Sequence, residues 1–588
     1  MIRSFPILLL LFVSSTFSFQ ACKNNPATST TKTNKVNVRL EAAANIIHPL
    51  MPSSGYARYV AEDVFQSLAT FDPVSTELIP RLIVKLPTAT TLTEGPNKGG
   101  IAYDFELLEA ANWDNGSPLT GKDVEFTLKL ILHPLLPNKL WRGYFEQLTD
   151  LQTDPAQPKK FTAQFKEYYF LALESICQAP IYPAYHYDPN NVLASVSITD
   201  LLDPKKAAAI AKDPAQIAFF EQFGGAEMGT NKEKINGSGP YKVAFFDAEQ
   251  GVTLVKKTNW WGTSLTDQYP ALAAFPDTIQ YLLVKAEDAA INMLQTGALD
   301  LVANVNTQRF LEMQKDPAFQ NNYTFTTNAP ASYNRVIINT KDPILADKRV
   351  RKALTLSVDY DYILNSIQQG MAQPIAGPIH PSKSYYAKNL PNPSLQVEKA
   401  QELLAEAGWK DADQDGVLDK IINGKKIDFQ LSLLSTTGTS VVDQLTASLQ
   451  KSFQQVGIRL NIKPSDLSTL TKETMAGNFQ LASGAVALQP GFVDLRQLYH
   501  SKNLAPKGDN RAGLVVPELD QAMDQLATTT DEAERSQLYQ KVQAILADEV
   551  PEIYLYAPKS RLIASKSFEH QPTTLRPGYV ARLSKLKQ

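Results

Sequence analysis

The chain has 588 residues, of which 44% are apolar and 20% are charged, and its formal net charge is −3. A chain of this length exceeds the size at which a single hydrophobic core stops growing, so we expect at least two lobes. The nearly balanced charge gives no sign of the basic surface on which nucleic-acid binding depends, so no nucleic acid is expected as a partner.

The amino end predicts export and attachment to a membrane. Residues 1–21 combine a basic start with a short apolar run, which is typical of a secretory signal peptide and too short to span a bilayer. The residues before Cys22 are similar to a lipobox and predict a lipid on that cysteine; the alternative is a plain signal peptide whose cysteine is incidental. Residues 22–35 are polar and predict a flexible tether. Cys177 is the only other cysteine, so a lipidated Cys22 would leave it unpaired, as a small buried apolar group.

The first half of the chain alternates predicted strands and helices. A strand is predicted at 36–40, and apolar residues at helical spacing predict an amphipathic helix at 56–68. Within 235–262, Gly237 and Gly239 supply conformations that a side chain would forbid, and Pro240 fixes the backbone that follows them. Residues 289–302 predict a helix that leads into a strand, a unit that suits a mixed sheet with helices packed against it.

One stretch in this half imitates a nucleotide-binding loop. Residues 116–122 satisfy G-x-x-x-x-G-K, but Asp123 follows where that motif needs Ser or Thr, and its carboxylate would repel phosphate. Pro118 also removes a backbone donor from the loop. We therefore predict a helix start instead, with Thr120 as N-cap and Asp123 in the first turn.

The stretch 329–363 holds the clearest transition from strand to helix. A β-branched run at 335–338 predicts a strand, and Asp347 is suited to cap a helix whose apolar residues recur on one face. Four cations crowd the first turns of this helix, at Lys348, Arg349, Arg351 and Lys352. Because the positive end of a helix dipole disfavours cations, we expect these side chains to have acidic partners elsewhere in the fold.

An acidic loop in the second half predicts a metal site. Asp411, Asp413 and Asp415 reproduce the start of a calcium loop, D-x-D-x-D-G, but the twelfth position holds Ile422 instead of Glu. The hypothesis is one partly hydrated, structural calcium ion held by Asp411, Asp413, Asp415 and Asp419. The alternative is a solvated acidic turn.

The remaining elements continue the α/β pattern. Helices are predicted at 397–407, 441–456, 517–530 and 534–548, and strands at 458–462 and 479–488. Six stretches carry motifs that occur in this order in one family, such as FQSLATFDP, INGSGPYKVAFFD and PEIYLY; they lie at 65–82, 103–127, 235–262, 329–363, 411–419 and 551–556. Together they resemble the extracytoplasmic solute-binding proteins of family 5, which supply peptide, nickel and related ABC importers.

The resemblance implies an α/β fold of the periplasmic-binding-protein type. Two lobes with mixed sheets would be joined by two hinge crossings, and the first lobe would contain an extra subdomain. Lobe I would cover 36–328, lobe II would cover 329–556, and residues 557–588 would return to lobe I.

The resemblance also implies a function. The chain would be a monomeric lipoprotein of the periplasm or cell envelope, delivering an oligopeptide or related small organic ligand to an ABC permease and ATPase by cleft closure. A lipoprotein chaperone or a ligand sensor on the same fold is the alternative. The sequence contains no G-x-S-x-G, H-E-x-x-H or paired-cysteine motif, so neither enzyme activity nor a required cofactor is expected.

Aromatic and basic residues near the predicted crossings and loops are candidate ligand contacts. They are Tyr56, Trp141, Trp261, Tyr333, Arg335, Arg496 and Tyr499. Of these, Arg335 or Arg496 would pair with a carboxylate of the ligand.

The loop after the strand at 479–488 bears on peptide binding. In peptide-binding relatives this loop carries an aspartate that pairs with the α-amino group, whereas the matching residues here are Ala487, Leu488 and Gln489. The first acid is Asp494. Because a buried ammonium without a carboxylate costs several kcal/mol, the usual mode of binding a zwitterionic peptide is not expected.

Overall fold

A computed structural model describes residues 34–137, 139–436 and 439–588 of the chain. The predicted signal peptide, Cys22 and all but the last two residues of the tether lie outside the described residues. None of the helices in the described part of the chain combines the length and the hydropathy that a bilayer crossing needs.

Strands occur throughout the described chain. The amino-terminal ones are β1 (Lys35–Leu40), β2 (Ala69–Phe71), β3 (Leu78–Pro80), β4 (Thr90–Thr91), β5 (Ile101–Glu106), β6 (Leu148–Thr153), β7 (Lys160–Phe165), β8 (Tyr241–Asp247), β9 (Gly251–Lys256), β10 (Thr278–Leu283), β11 (Leu301–Ala303) and β12 (Tyr323–Asn328). The carboxy-terminal ones are β13 (Ser332–Ile338), β14 (Ala372–Gln373), β15 (Asp419–Ile422), β16 (Lys425–Asp428), β17 (Gln430–Thr436), β18 (Arg459–Ser465), β19 (Leu481–Ala487), β20 (Glu552–Pro558), β21 (Ser560–Ser565), β22 (Phe568–Glu569) and β23 (Lys585–Leu586).

Helices alternate with these strands. The amino-terminal ones are α1 (Gly55–Val64), α2 (Gly121–Leu132), α3 (Lys139–Gly143), α4 (Ala172–Gln178), α5 (Ala184–Tyr187), α6 (Ile198–Leu202), α7 (Pro204–Ile210), α8 (Pro214–Phe223), α9 (Glu227–Thr230), α10 (Glu287–Gln295), α11 (Thr307–Lys315) and α12 (Pro317–Gln320). The carboxy-terminal ones are α13 (Lys348–Leu356), α14 (Tyr360–Tyr362), α15 (Val397–Glu406), α16 (Ser440–Gln454), α17 (Leu467–Ala476), α18 (Arg496–Tyr499), α19 (Pro517–Thr528) and α20 (Glu532–Glu549).

Two mixed sheets form the centres of the two lobes. The first has seven strands in the order β12-β21-β11-β1-β10-β9-β8, with β1 parallel to both β10 and β11. The second has six strands in the order β14-β20-β13-β19-β17-β18, with β13 antiparallel to both of its neighbours. A separate antiparallel sheet, β4-β5-β7-β6, forms the extra subdomain of the first lobe.

The chain passes between the two main sheets twice. β12 ends at Asn328 in the first sheet and β13 begins at Ser332 in the second. β20 ends at Pro558 in the second sheet and β21 begins at Ser560 in the first. Beyond β21 the chain stays with the first lobe, where the Phe275 N–H donates to the carbonyl of Arg582 at 2.8 Å. The two-lobed α/β fold with two crossings is the one that the sequence predicts.

Residues 116–122, which satisfy the phosphate-loop pattern, lead into the start of a helix. The backbone N–H of Thr120 donates to the carboxylate of Asp123 at 2.8 Å, and α2 begins at Gly121. The predicted capping role of these two residues is confirmed.

The first long helix is shorter than predicted. The apolar spacing predicts a helix over 56–68, whereas α1 ends at Val64 and the backbone of Phe65 is extended. The loop that contains Gly239 packs on this end: the Gly239 N–H donates to the Val64 carbonyl at 2.9 Å, and a Cβ at Gly239 would lie 2.6 Å from that oxygen. The helix therefore ends because of a contact between residues distant in sequence, which local periodicity does not contain.

The cations at the start of α13 have the expected acidic partners. Asp347 caps the helix by accepting the N–H of Arg349. Lys348 Nζ lies 2.6 Å from the carboxylate of Asp548, and Arg351 Nη2 donates at 2.6 Å to the carbonyl of Glu549. These partners lie at the carboxyl end of α20. The cations therefore interact favourably with the negative end of the α20 dipole, although they lie near the positive end of the α13 dipole.

A buried ion pair joins β13 to β20. Arg335 and Glu552 pair in the sheet of the second lobe, where their side chains are 8% and 3% exposed. The Tyr499 hydroxyl donates to the second carboxylate oxygen of Glu552 at 3.1 Å, and it lies 3.3 Å from the Tyr554 hydroxyl. Removing one member of such a pair leaves the other as an uncompensated buried charge.

We therefore expect Glu552→Gln to destabilise the protein by about 3–5 kcal/mol. The control is Asp548→Asn, which weakens surface pairs and is expected to cost less than about 1 kcal/mol. Urea unfolding followed by circular dichroism measures both variants. Equal losses in the two variants would contradict the structural role given to the Arg335 pair.

Candidate ligand-binding cleft

A large cleft opens beside the two crossings and is lined by both lobes. Its volume is about 1720 Å³. The first lobe contributes α1, the loop at 70–76, α4 and the segment 574–582; the second lobe contributes parts of β13, β17, β19, α16 and α17 and the loop at 488–494. A ligand in this cleft would touch both lobes at once.

Two of the seven predicted ligand contacts line the cleft, namely Trp141 and Arg335. Tyr56 and Trp261 are partly buried and pack against the core of the first lobe. Tyr333 is fully buried against Tyr554, with 5.7 Å between the ring centroids.

The other two predicted contacts lie behind the cleft wall. Tyr499 is fully buried, and its hydroxyl donates a hydrogen bond to the carboxylate of Glu552. Arg496 is absent from the cleft lining, and its guanidinium donates to the carboxylate of Asp494 from Nε at 3.0 Å and from Nη2 at 2.7 Å. A role in ligand contact for any of the seven residues stays a prediction.

The two arginines predicted to pair with a ligand carboxylate already have carboxylate partners. Arg335 is paired with Glu552, and Arg496 forms a bidentate pair with Asp494. The guanidinium of Arg496 also lies 5.1 Å from the ring centroid of Tyr169. Their charges are therefore compensated inside the protein before any ligand binds.

Asp494 lines the cleft together with Ala487, Leu488 and Gln489. Its carboxylate accepts the guanidinium and the backbone N–H of Arg496, and it also accepts the hydroxyl of Tyr169 at 2.9 Å. This loop therefore presents a carboxylate that is already saturated by protein donors, and it offers no free acid to a ligand ammonium.

A second acid and a lysine, neither of which the sequence singled out, line the cleft nearby. Lys383 Nζ donates to the carbonyls of Gln489 at 3.0 Å, Gly491 at 2.8 Å and Pro490. Burial raises the pKa of Glu174 to about 7, and the charge of Lys383 opposes that rise. Burial lowers the pKa of Lys383 to about 8, and Glu174 opposes that fall. No local pattern predicts this pair, because the two residues lie far apart in sequence.

Several contacts join the lobes at the rim of the cleft. The Tyr169 hydroxyl of the first lobe donates to Asp494 of the second, and the Phe170 N–H donates to the carbonyl of Ala527 at 3.1 Å. Arg535 Nη2 of α20 donates to the Tyr168 hydroxyl at 3.1 Å. An opening of the lobes would break these contacts.

Part of the cleft lining is apolar. Val74 on the first lobe is 60% exposed and Leu467 on the second is 69% exposed, although both are large apolar side chains. Val441, Val442 and Leu445 line the cleft as well. Exposed apolar surface in a cleft is suited to cover an apolar part of a ligand.

The acidic loop brings three of its four predicted calcium ligands together. Carboxylate oxygens of Asp411, Asp413 and Asp415 lie within 4.8 Å of one another. Asp419 is buried and its carboxylate accepts the N–H of Ala412 at 3.0 Å. The ammonium of Lys426 pairs with Asp413 and lies 3.5 Å from Asp419. The lysine therefore supplies positive charge where the calcium ion was predicted.

Comparison with known proteins identifies the family. Residues 88–503 match the family described as "Bacterial extracellular solute-binding proteins, family 5 Middle". The chain therefore belongs to the bacterial extracellular solute-binding proteins of family 5. The oligopeptide-binding protein AppA of Bacillus subtilis is 26% identical over 526 residues, which cover 86% of this chain and 86% of the relative. The glutathione-binding protein GsiB of Escherichia coli is 25% identical over 401 residues, which cover 64% of this chain and 72% of the relative.

Solved structures show the same fold. The structure of AppA from Bacillus subtilis in complex with a nonapeptide has a TM-score of 0.71 at 22% identity and covers 94% of this chain and 99% of its own. NikA from Brucella suis in complex with Fe(III)-EDTA has a TM-score of 0.73 at 16% identity and covers 94% of this chain and 100% of its own. The predicted family and fold are confirmed, and the protein is an extracytoplasmic solute-binding protein of the kind that serves an importer.

Proposed function

We propose that the protein captures an oligopeptide or a related small organic molecule in the cleft and delivers it to an ABC permease and ATPase. The observation that carries this proposal is a cleft of about 1720 Å³ whose walls come from two lobes joined by two short crossings. Such a cleft exceeds the roughly 300–1,000 Å³ of common small-molecule sites, so it has room for several residues of a peptide. The names of the relatives, which include oligopeptide-binding and glutathione-binding proteins, support this ligand class.

Delivery would depend on closure of the lobes. A ligand that contacts both walls binds the closed state more tightly than the open state. It therefore shifts the population of the protein from open to closed. The permease would then distinguish loaded from empty protein by the relative position of the lobes. The rim contacts of Tyr169 and Phe170 are suited to hold the closed state. In this account the chain acts as a monomer and performs no catalysis.

Thermal shift tests the ligand class. The probes are a random pentapeptide library and a small-metabolite library, added to full-length protein that has been washed free of ligand in denaturant and refolded. We expect at least one of the libraries to raise the Tm, because ligand that binds only the folded protein stabilises it.

Tyr169→Phe tests the closure. This variant removes one hydrogen bond across the rim and is expected to weaken binding of the active library members by about two- to tenfold. Tyr362→Phe, at an exposed position of the second lobe, is the matched control and should change nothing. A wild-type Tm unmoved by both libraries would contradict the proposed capture, and equal affinity in Tyr169→Phe would contradict the role of the rim. Binding of unfolded proteins without any small ligand would favour the chaperone alternative.

The amino end and the acidic loop add two further parts to the proposal: a lipid on Cys22 that holds the protein at a membrane, and a structural calcium ion on Asp411, Asp413 and Asp415. The lipobox-like sequence supports the first, and the closeness of the three carboxylates supports the second. The charge of Lys426 on Asp413 weighs against tight binding of the ion.

Native mass spectrometry of the full chain from its membrane fraction tests both parts. The expected result is a mature chain that begins at Cys22 and carries the mass of a diacylglyceryl group, with the mass of one calcium ion lost in chelator. An Asp411→Asn variant is the control for the ion. A chain without added lipid mass would exclude the anchor, and a mass unchanged by chelator would exclude the ion.

A further inference from the structure

The two lobes meet in one patch beside the cleft. Residues 168–174 of the first lobe lie against the loop at 491–494 and the helices α19 and α20 of the second lobe, through the rim contacts described above. The ring of Phe170 also contacts the ring of Phe492, with 6.1 Å between the ring centroids. Tyr169 and Phe170 are buried. An opening of the lobes would therefore expose this patch to water.

Glu174 places a carboxyl group in this patch. The residue belongs to α4 of the first lobe, is half-buried and lines the cleft. Its carboxyl oxygens lie against Gly491 of the second lobe: a Cβ added at Gly491 would overlap Oε2 and would lie 3.2 Å from Oε1. The missing side chain of the glycine therefore leaves the space that the carboxyl group of Glu174 fills, and this contact joins the two lobes.

The ammonium group beside this carboxyl group is already fully used. Lys383 has three N–H donors, and its Nζ donates to three backbone carbonyls of residues 489–491, including that of Gly491 at 2.8 Å. Within the described part of the chain, no hydrogen bond or ion pair reaches the carboxyl group of Glu174. Asp494 in the same patch accepts donors from Arg496 and Tyr169. Closure therefore satisfies the carboxylate of Asp494 and leaves that of Glu174 without a donor.

A carboxyl group that is partly buried and lacks donors favours its neutral form. Burial raises the pKa of Glu174 to about 7, although the charge of Lys383 opposes that rise. In an open state the side chain would face water, where the pKa of a glutamate is about 4.3. Closure would therefore take up a proton between these two pH values. The preference for the closed state that results is fully present below the lower value and is lost as the pH rises through the upper one.

The other titratable groups around Glu174 keep their protonation state near neutral pH. Burial lowers the pKa of Lys383 to about 8, so this ammonium group stays charged at lower pH. The charge of Glu174 also acts on Tyr144 after α3, on Cys177 of α4 and on Tyr385 of the second lobe. Burial raises the pKa of these three groups further above their ordinary alkaline values, so they stay neutral. Within this set, only Glu174 changes its charge as the pH rises through neutrality.

We propose that Glu174 is a pH-sensitive latch between the lobes: its protonated carboxyl group holds the cleft closed against Gly491 in mildly acidic medium, and its ionisation favours opening. The inference rests on the proposed function, since it assumes that the lobes open and close. It goes beyond that function because the pH of the medium, and not only the ligand, controls closure. A captured solute would then be held more tightly at the lower pH.

The test measures closure of the ligand-free, full-length protein at two pH values. Spin labels at Glu94→Cys in the first lobe and Lys463→Cys in the second report on the lobes in a Cys22→Ser background, and both positions are exposed and outside the cleft. Pulsed electron resonance at about pH 5.5 and about pH 8 gives the ratio of closed to open protein. We expect this ratio to fall by about tenfold or more as the pH rises, because the pKa of Glu174 differs between the two states.

Two variants assign the effect to the latch. Glu174→Gln keeps the size of the neutral carboxyl group and cannot ionise, so at both pH values it should show the closed fraction that the wild type shows at the lower pH. Gly491→Ala puts a methyl group where the carboxyl group lies and should displace that flexible side chain, so closure should lose its pH dependence although Glu174 is retained. Glu221→Gln removes an exposed carboxylate of the first lobe outside the cleft and is the matched control. Circular dichroism verifies the fold of each variant.

The outcomes separate the latch from the proposed function. A closed fraction that falls with rising pH in the wild type and in Glu221→Gln, but not in Glu174→Gln, would support the latch. A fraction unchanged in the wild type, or an equal fall in Glu174→Gln, would overturn the latch, and the proposed function would stand if peptide or metabolite libraries still close the lobes. A fraction that responds to pH but to neither library would support the latch and contradict the proposed capture. A fraction that responds to neither pH nor ligand would overturn both.

Discussion

The pairing of β13 with β20 is the constraint on which the architecture depends. β13 begins just after the first crossing and β20 ends just before the second, and the two are antiparallel neighbours in one sheet. β12 and β21, on the other side of the crossings, are antiparallel neighbours in the other sheet. The two crossings therefore run side by side and form one short double connection between the lobes. The Arg335 and Glu552 pair joins β13 and β20 in the interior and stabilises the register on which this arrangement depends.

The double connection also determines which segments of the chain line the cleft. Segments that are far apart along the chain, from α1 to the residues around Arg576, face each other only because the chain returns to the first lobe. Some charged side chains of the cleft lining are paired within the protein, as Arg335 is with Glu552 and Asp494 is with Arg496. Exposed apolar side chains such as Val74 and Leu467 belong to the same lining.

Local patterns in the sequence predict some of these features and not others. The cations of α13 violate the helix-dipole preference, and that violation correctly indicates acidic partners, although not that they lie at the end of α20. The end of α1 is missed because Gly239 determines it from a distant loop. Trp141 and Arg335 are found in the cleft wall, but Tyr333 and Tyr499 are buried, because an aromatic residue near a crossing has the same local pattern whether it faces core or cleft. Glu174 and Lys383 carry no local signal, because they lie far apart in the sequence and come together only in the fold.

The proposed function requires that the two lobes move about this double connection and close on a ligand. Its most direct test is the distance between spin labels at Glu94→Cys in the first lobe and Lys463→Cys in the second, both at exposed positions outside the cleft. Cys22→Ser removes the cysteine of the amino end, and the buried Cys177 will not react. Pulsed electron resonance of the ligand-free protein should show a broad or double distance distribution that narrows to one population when a retained peptide library is added. A single distribution that is the same with and without peptide would contradict the account.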